Sequence, residues 1–287
     1  MDSVIIFTLS FGIPLFLLFL IYSKDMVKER PLALLKAILG GFAVAIVITL
    51  IFGSFNSLGI NLNDLSKKMG FFSYIFRAFI LSGFIEEALK LLAFIFLFKD
   101  TVDYDDAYDG IVFASFIAMG FALFENVLYF MSYEKKTILL FRTFTSLPLH
   151  FYCGIFMGYY FSRYLIHKEY ESPKAKVFKI KSFLVPFIIH SLYNLILFVF
   201  SDINDGPAQI VLLLIMGGYF STLSYLVFMN VNNSSRHDRK IKKINEEAFE
   251  NKENEAYNRE VLKEVYCSHC GTKGYSGSYC RMCGKKL

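Results

Sequence analysis

The chain has 287 residues, 55% of them hydrophobic and only 19% charged. Its mean hydropathy of +0.46 lies well above that of a soluble domain of this length, which excludes an ordinary water-soluble globule. The net charge of +5 is what basic loops facing anionic lipid produce, and it calls for no nucleic-acid partner.

Apolar runs of about 18 or more residues read as transmembrane helices. Seven occur, at 4–22, 32–52, 71–98, 111–131, 137–165, 183–200 and 208–229. The first has Asp2 as its only early charge and no small-residue cleavage site, so it is expected to be a retained helix and not a signal peptide. The fold class expected is an all-α multi-pass membrane bundle of about seven transmembrane helices over 1–229, followed by a small C-terminal zinc ribbon. Basic residues in the short loops set its orientation. They are Lys24, Lys28 and Arg30 in 23–31; Arg163, then Lys168, Lys174, Lys176, Lys179 and Lys181 around 166–182; and Arg236, Arg239, Lys240, Lys242 and Lys243 after the last span. The loop 201–207 carries only Asp202 and Asp205. An outside N-terminus and a cytoplasmic C-terminus follow. The loop 99–110 fits weakly, with Lys99 alone among five aspartates, but acidic residues count little in this rule.

After Met229 the composition turns polar and mixed in charge, so 230–266 reads as a charged linker or solvated helix, which Ser234 or Ser235 can cap. Residues 267–287 then bring Cys267-Ser-His-Cys270 and Cys280-Arg-Met-Cys283, four of the chain's five cysteines. Two CxxC knuckles turn four thiolates toward one tetrahedral ion, with Gly271, Gly274, Gly277 and Gly284 permitting tight turns. A segment on the cytoplasmic side keeps its thiols reduced, which favours zinc over disulfides. With four protein ligands this zinc is structural, and it supplies the folding energy that so small a unit cannot find in a core. The ribbon is expected to contact a protein partner or the membrane domain. Cys153, in the fifth span, reads as a small packing residue.

Five ionisable side chains lie deep inside the apolar runs: Glu86 and Glu87 in the third, Glu125 in the fourth, His150 in the fifth and His190 in the sixth. Each costs about 2.5–3.5 kcal/mol at a membrane centre on insertion scales. Glu86 and Lys90 stand one turn apart on one face, an ion pair that leaves Glu87 about 100° away unexplained. Asn126 adds an amide beside Glu125. His150 follows Pro148 and precedes Gly154 and Gly158, a small-residue face that lets a neighbouring helix come close. His190 and Asn194 share a face and can donate two hydrogen bonds to one oxygen. Counting about 1.5 Å per residue from the cytoplasmic helix ends puts Glu86, Glu125, His150 and Asn194 at roughly 16–23 Å, with His190 shallower at about 10 Å. Such a layer needs water, because charged groups cannot face lipid. Its carboxylates and imidazoles can activate water as general bases, with His190 and Asn194 at the oxyanion, or can ligate a catalytic zinc with an open position. Both routes lead to hydrolysis. A proton-coupled or ion-coupled transporter is the rival from another class, weakened by the lack of broken helices in repeated halves. A non-catalytic membrane sensor is a third reading, and it leaves the acids without a purpose.

These motifs resemble those of the PrsW proteases. Glu86-Glu87-Ala-Leu-Lys90 is similar to that family's EExxK motif, and Phe121-Ala-Leu-Phe-Glu125 to its second motif. His150 and the HxxxN string His190-Ser-Leu-Tyr-Asn194 complete the set, which spans about 83 to 195. The related CAAX prenyl endopeptidases and bacteriocin-immunity proteins usually carry EExxxR and FxxxH, so EExxK and FxxxE favour the PrsW branch. The resemblance implies an intramembrane endopeptidase, metal-dependent or glutamate-dependent, that cuts a single-span, membrane-anchored protein such as an anti-sigma factor and starts a stress response. It also implies Glu86 as the water-activating base, Glu87, Glu125 and His150 as catalytic or ligating partners, and His190 and Asn194 as the oxyanion site.

Overall fold

Within hydrocarbon, a single segment can satisfy all its peptide groups only as a helix, and each of the seven apolar runs is helical in the computed structural model. The structure describes residues 3–62, 69–132, 137–169, 171–203, 205–255, 264–275 and 278–287. Asp2, Gly277 and residues 256–263 of the charged linker lie outside the described residues. The elements are α1 (Ser3–Lys24), α2 (Pro31–Ser57), α3 (Phe72–Ile75), a π-helical stretch Phe76–Phe84, α4 (Ile85–Phe98), α5 (Asp109–Ser132), α6 (Thr137–Phe144), α7 (Ser146–Glu169), α8 (Lys174–Asp202), α9 (Gly206–Glu255), β1 (Glu264–Tyr266) and β2 (Lys273–Tyr275). Pro31 opens α2 where a missing N–H leaves no hydrogen bond unmade.

Helices α2, α5, α8 and α9 are each long and apolar enough to cross a membrane unaided. The other expected passes are α1, the α3–π–α4 run and the α6–α7 pair. Most of α5's apolar window is buried, 78% against 28% or less for the other three, so α5 is the central helix. It packs on α2 and α7, and α7 packs on α8. Leu15, Phe16, Leu32, Phe96 and Leu214 point outward, as side chains do that face lipid and not a protein core.

The small face expected on α7 is where α5 makes its closest approach. A Cβ at Gly158 would collide with the Gly110 carbonyl, and one at Gly154 would press on Ala114 and Ser115. Cys153 is fully buried, with its thiol 3.6 Å from the Pro186 carbonyl of α8.

The helices depart from the apolar runs in three places. The run 137–165 is two helices, because Pro148 has no N–H to give the Phe144 carbonyl and the chain turns at Thr145. Helix α8 starts at Lys174, about nine residues before the run at 183–200, because its first turns carry lysines that a hydropathy reading rejects. Two of these, Lys179 and Lys181, lie over the rings of Tyr164 and Tyr160. Helix α9 continues past Met229 to Glu255 without a break, so the described part of the charged segment up to that residue is helical.

One end of the bundle gathers the loops 25–30 and 99–108, the distal part of α9 and the ribbon. Arg30 pairs with Asp103 at 2.5 Å, the Ala107 N–H donates to Asp238 of α9 at 3.2 Å, and Arg281 of the ribbon lies 3.6 Å from Asp105. At the other end the Tyr74 hydroxyl donates to Asp202 at 2.6 Å.

The Gly110–Gly158 contact gives a direct test. Gly158→Ala is expected to cost about 1–3 kcal/mol by overpacking, read as a lower thermal midpoint in detergent. Gly217→Ala, with nothing within 4 Å of its Cβ position, should leave the midpoint unchanged.

Candidate active site and metal centres

The π-helical stretch ends immediately before Glu86 and Glu87, and such widened turns recur where a helix must re-aim side chains at a functional site. Close approach helps too, since a Cβ at Gly83 would collide with the Ser191 hydroxyl, so α8 lies against this stretch and presents His190. Although adjacent residues differ by about 100° around a helix, both glutamates reach Lys90. Its ammonium is 2.8 Å from Glu87 Oε1 and 3.6 Å from Glu86 Oε2. The spacing pointed to a Glu86–Lys90 pair, yet the shorter contact is to Glu87, the residue that pair left unexplained.

The network spreads over four more helices. His190 Nδ1 lies 2.8 Å from Glu87 Oε1 and its Nε2 3.8 Å from Glu86 Oε2. Lys90 is also 3.0 Å from His150 Nδ1, and His150 Nε2 is 3.3 Å from Glu125 Oε2. Arg142 reaches Glu125 Oε2 at 2.6 Å and donates through Nε to Asn126 Oδ1 at 3.2 Å. The two imidazoles meet edge to face at 4.9 Å, and Phe121 closes the group, its ring 4.0 Å from the Lys90 ammonium. Glu87, Lys90, His150 and His190 are buried, whereas Glu86 and Glu125 keep 13% and 23% of their side-chain exposure and face the open side.

Proton positions follow from donors and acceptors. An ammonium only donates, so His150 Nδ1 accepts from Lys90, which leaves the ring proton on Nε2, 3.3 Å from Glu125 Oε2. With His190 Nδ1–H donating to Glu87, the Nε2 lone pair of His190 looks toward Glu86 Oε2, a buried oxygen with no hydrogen-bond partner. Glu87 Oε2 is likewise buried and without such a partner. Two electron-rich atoms facing each other call for a cation or a water molecule between them. Glu86, Glu87, His150 and His190 each bring one ligand atom within 4.8 Å of the others, and carboxylate with imidazole is a donor set that suits zinc. By donor type and reach, these residues fit a metal ion. Lys90 stands at the same carboxylates, so ammonium and ion share one negative field.

The structure thus brings Glu86, Glu87, Glu125, His150 and His190 together. Asn194 stands apart, half-buried, and no hydrogen bond joins it to the group. Counting α8 from Lys174 adds roughly 13 Å, which lifts His190 into the layer of the others. Arg142 was the residue that sequence reasoning passed over. The signal was available, since it is an arginine inside the apolar run 137–165.

The second centre is the ribbon. Its sulfurs lie 3.3–3.7 Å apart for the pairs Cys270–Cys280, Cys267–Cys283 and Cys270–Cys283, close to the roughly 3.8 Å that tetrahedral Zn–S bonds of about 2.3 Å imply. The two knuckles repeat one design. Gly271 and Gly284 have φ of +75° and +74° and donate their N–H groups to the Cys267 and Cys280 carbonyls at 2.8 Å. No disulfide forms among these cysteines.

The profile described as "PrsW family intramembrane metalloprotease" matches residues 29–239. The chain belongs to the PrsW family. Protease PrsW of Oceanobacillus iheyensis is 31% identical over 186 residues, covering 65% of this chain and 80% of that protein. Protease PrsW of Clostridioides difficile is 30% identical over 186 residues, covering 63% of this chain and 74% of that one. No solved structure matches the chain. As a PrsW protein it is a membrane-embedded peptidase, and the buried network lies entirely inside the matched segment, while the ribbon lies beyond it.

Arg142 gives the test here. Arg142→Met leaves Glu125 without its nearest cation and is expected to destabilise the protein by about 3–5 kcal/mol. Adding Glu125→Gln should recover most of that loss, read as non-additive shifts of the thermal midpoint in a double-mutant cycle.

Proposed function

We propose that this chain cuts a single-span, membrane-anchored substrate within the bilayer, with Glu86 as the base that takes a proton from water. The observation that carries this reading is the convergence of two carboxylates and two imidazoles within 4.8 Å, with Glu86 among the less buried of them. Glu87 holds Lys90 and His190 in place through one oxygen. His150 and Arg142 both reach Glu125 Oε2, at 3.3 and 2.6 Å, and keep that carboxylate oriented. Asn194, one turn from His190 on α8 and with no hydrogen-bond partner for its amide among the described residues, supplies a donor for the oxyanion of a tetrahedral intermediate. A zinc ion held by Glu86, Glu87, His150 and His190 would supply Lewis-acid polarisation of the scissile carbonyl and of water.

The substrate class we favour is a membrane-anchored anti-sigma factor, cut on its extracytoplasmic side. The N-terminus then lies outside and the ribbon in the cytoplasm, in keeping with the basic loops. In this reading 1–229 is the protease domain, 230–266 a charged connector and 267–287 a structural zinc ribbon.

Cleavage of a co-expressed single-span reporter should fall at least about 100-fold in Glu86→Gln and in Glu87→Gln, as loss of general-base or ligand function requires. Retained solubility and thermal midpoint would show that the variants fold, and undiminished cleavage in both would sink the mechanism. Metal content decides the ion's part. In a Cys280→Ser/Cys283→Ser chain, which has lost the ribbon's zinc, about one equivalent should remain, and Glu86→Gln with His190→Ala should remove it. If no metal remains while cleavage persists, Glu86 works on water without an ion.

A further inference from the structure

A second buried group of acids stands at the loop end of the bundle, away from the peptidase network. Asp25 follows α1, Asp106 lies in the loop joining α4 to α5, and Asp109 opens α5. Each brings one carboxylate oxygen within 4.8 Å of the others, and all three are at least nine-tenths buried. Backbone N–H groups hold one oxygen of each. Asp25 Oδ1 accepts from Val27, Asp106 Oδ1 from Tyr108 and Asp109, and Asp109 Oδ2 from Asp105 and Asp106. The other oxygens of Asp25 and Asp109 are buried and have no hydrogen-bond partner.

Asp238 provides an independent sign. It comes from α9, far along the chain, and is 7% exposed. Its Oδ1 is fixed by the Ala107 N–H, while its Oδ2 is buried without a partner. It lines a cavity of about 130 Å³ together with Asp106, Met26, Val27, Lys242 and Arg281. Glu29, also 7% exposed, stands beside Asp109. Three nearby bases have partners of their own: Lys28 gives its ammonium to the Tyr22 and Asp25 carbonyls, Arg30 pairs with Asp103, and Arg281 pairs with Asp105. Five acidic side chains, Asp25, Glu29, Asp106, Asp109 and Asp238, thus gather here, with Lys242 and Arg281 the bases that line the cavity.

The donor chemistry selects the occupant. There is no sulfur or imidazole among these groups, only carboxylate oxygen, which is the choice of hard cations. Oxygens on opposite sides of a calcium ion stand roughly 4.6–5.2 Å apart, and those of magnesium about 4.0–4.2 Å. We propose that Asp25, Asp106 and Asp109, with Asp238 at the entrance, form a binding site for a hard divalent cation of the calcium or magnesium class. The bound ion would tie the end of α1 and the distal part of α9 to the loop between α4, which carries Glu86 and Glu87, and α5, which carries Glu125.

The test uses full-length protein in detergent with its zinc retained, dialysed free of alkaline-earth ions. Equilibrium dialysis with radioactive calcium should show one saturable site per chain, and calcium or magnesium alone should raise the thermal midpoint. Displacement of calcium by a modest excess of magnesium identifies the magnesium class, and resistance to it the calcium class. Asp25→Asn and Asp109→Asn keep an oxygen for the backbone N–H groups and remove the charge, so each should weaken binding at least tenfold while zinc content stays constant. Glu86→Gln should bind calcium as the unmodified chain does. No saturable calcium or magnesium binding by the unmodified chain overturns the proposal. So does binding that survives both aspartate substitutions, or that is lost in Glu86→Gln instead.

Discussion

The ammonium of Lys90 is 1% exposed and stands 2.8 Å from Glu87, 3.0 Å from His150 and 3.6 Å from Glu86, so one positive charge joins α4 to α7 and, through Glu87, to His190 of α8. Taking such a group out of water costs several kcal/mol, and only a set of partners held at these distances makes the cost bearable. The helices that carry them cannot separate without presenting bare charge to lipid. The close packing of α5 on α7 serves the same end. With Gly158 against Gly110, the backbones approach until Glu125 of α5 comes within reach of His150 of α7. Arg142 then answers the negative charge that Glu125 adds, and the short helix α6 exists in the right place because Pro148 interrupts what would otherwise be one long helix.

Much of this was legible from residue types alone. Glu86, Glu87, Glu125, His150 and His190 announce themselves because an ionisable group in an apolar run needs a reason, and all five do meet. The CxxC spacing likewise anticipated four sulfurs around one point. What stayed hidden depended on where helices begin and how they wind. Hydropathy placed the sixth span too late, since lysines near a membrane surface look like loop while their stems lie along aromatic rings. The error made His190 look too shallow, and the fold brings it level with Glu86 and Glu87. A π-helical stretch has no residue signature in Phe76–Phe84, so helical-wheel spacing could not foresee that Glu87 is nearer than Glu86 to Lys90. Arg142 was visible in principle, but a single arginine near the end of a long run reads as an interfacial anchor until its partner is known.

The chain keeps two kinds of ligand chemistry apart. The ribbon uses thiolate alone and closes its coordination, as a purely architectural site does. The peptidase network mixes carboxylate with imidazole and leaves two electron-rich atoms, His190 Nε2 and Glu86 Oε2, facing each other at 3.8 Å. Oxygen-only acids at the loop end form a third environment. The two carboxylate-bearing sets are assembled from segments distant in sequence, so each also reports on whether the chain has folded around it.

Helix α9 runs unbroken from Gly206 to Glu255. At about 1.5 Å per residue it is roughly 75 Å long, against about 30 Å of bilayer hydrocarbon. More than half of its length therefore stands clear of the lipid, as a lever pivoted at the membrane surface. Transmembrane helices tilt to match the thickness of their bilayer, and a change of about 10° would swing the tip of such a lever through roughly 8 Å. Any such tilt would be carried to the loop 99–108, because Asp238 of α9 accepts from the Ala107 N–H there.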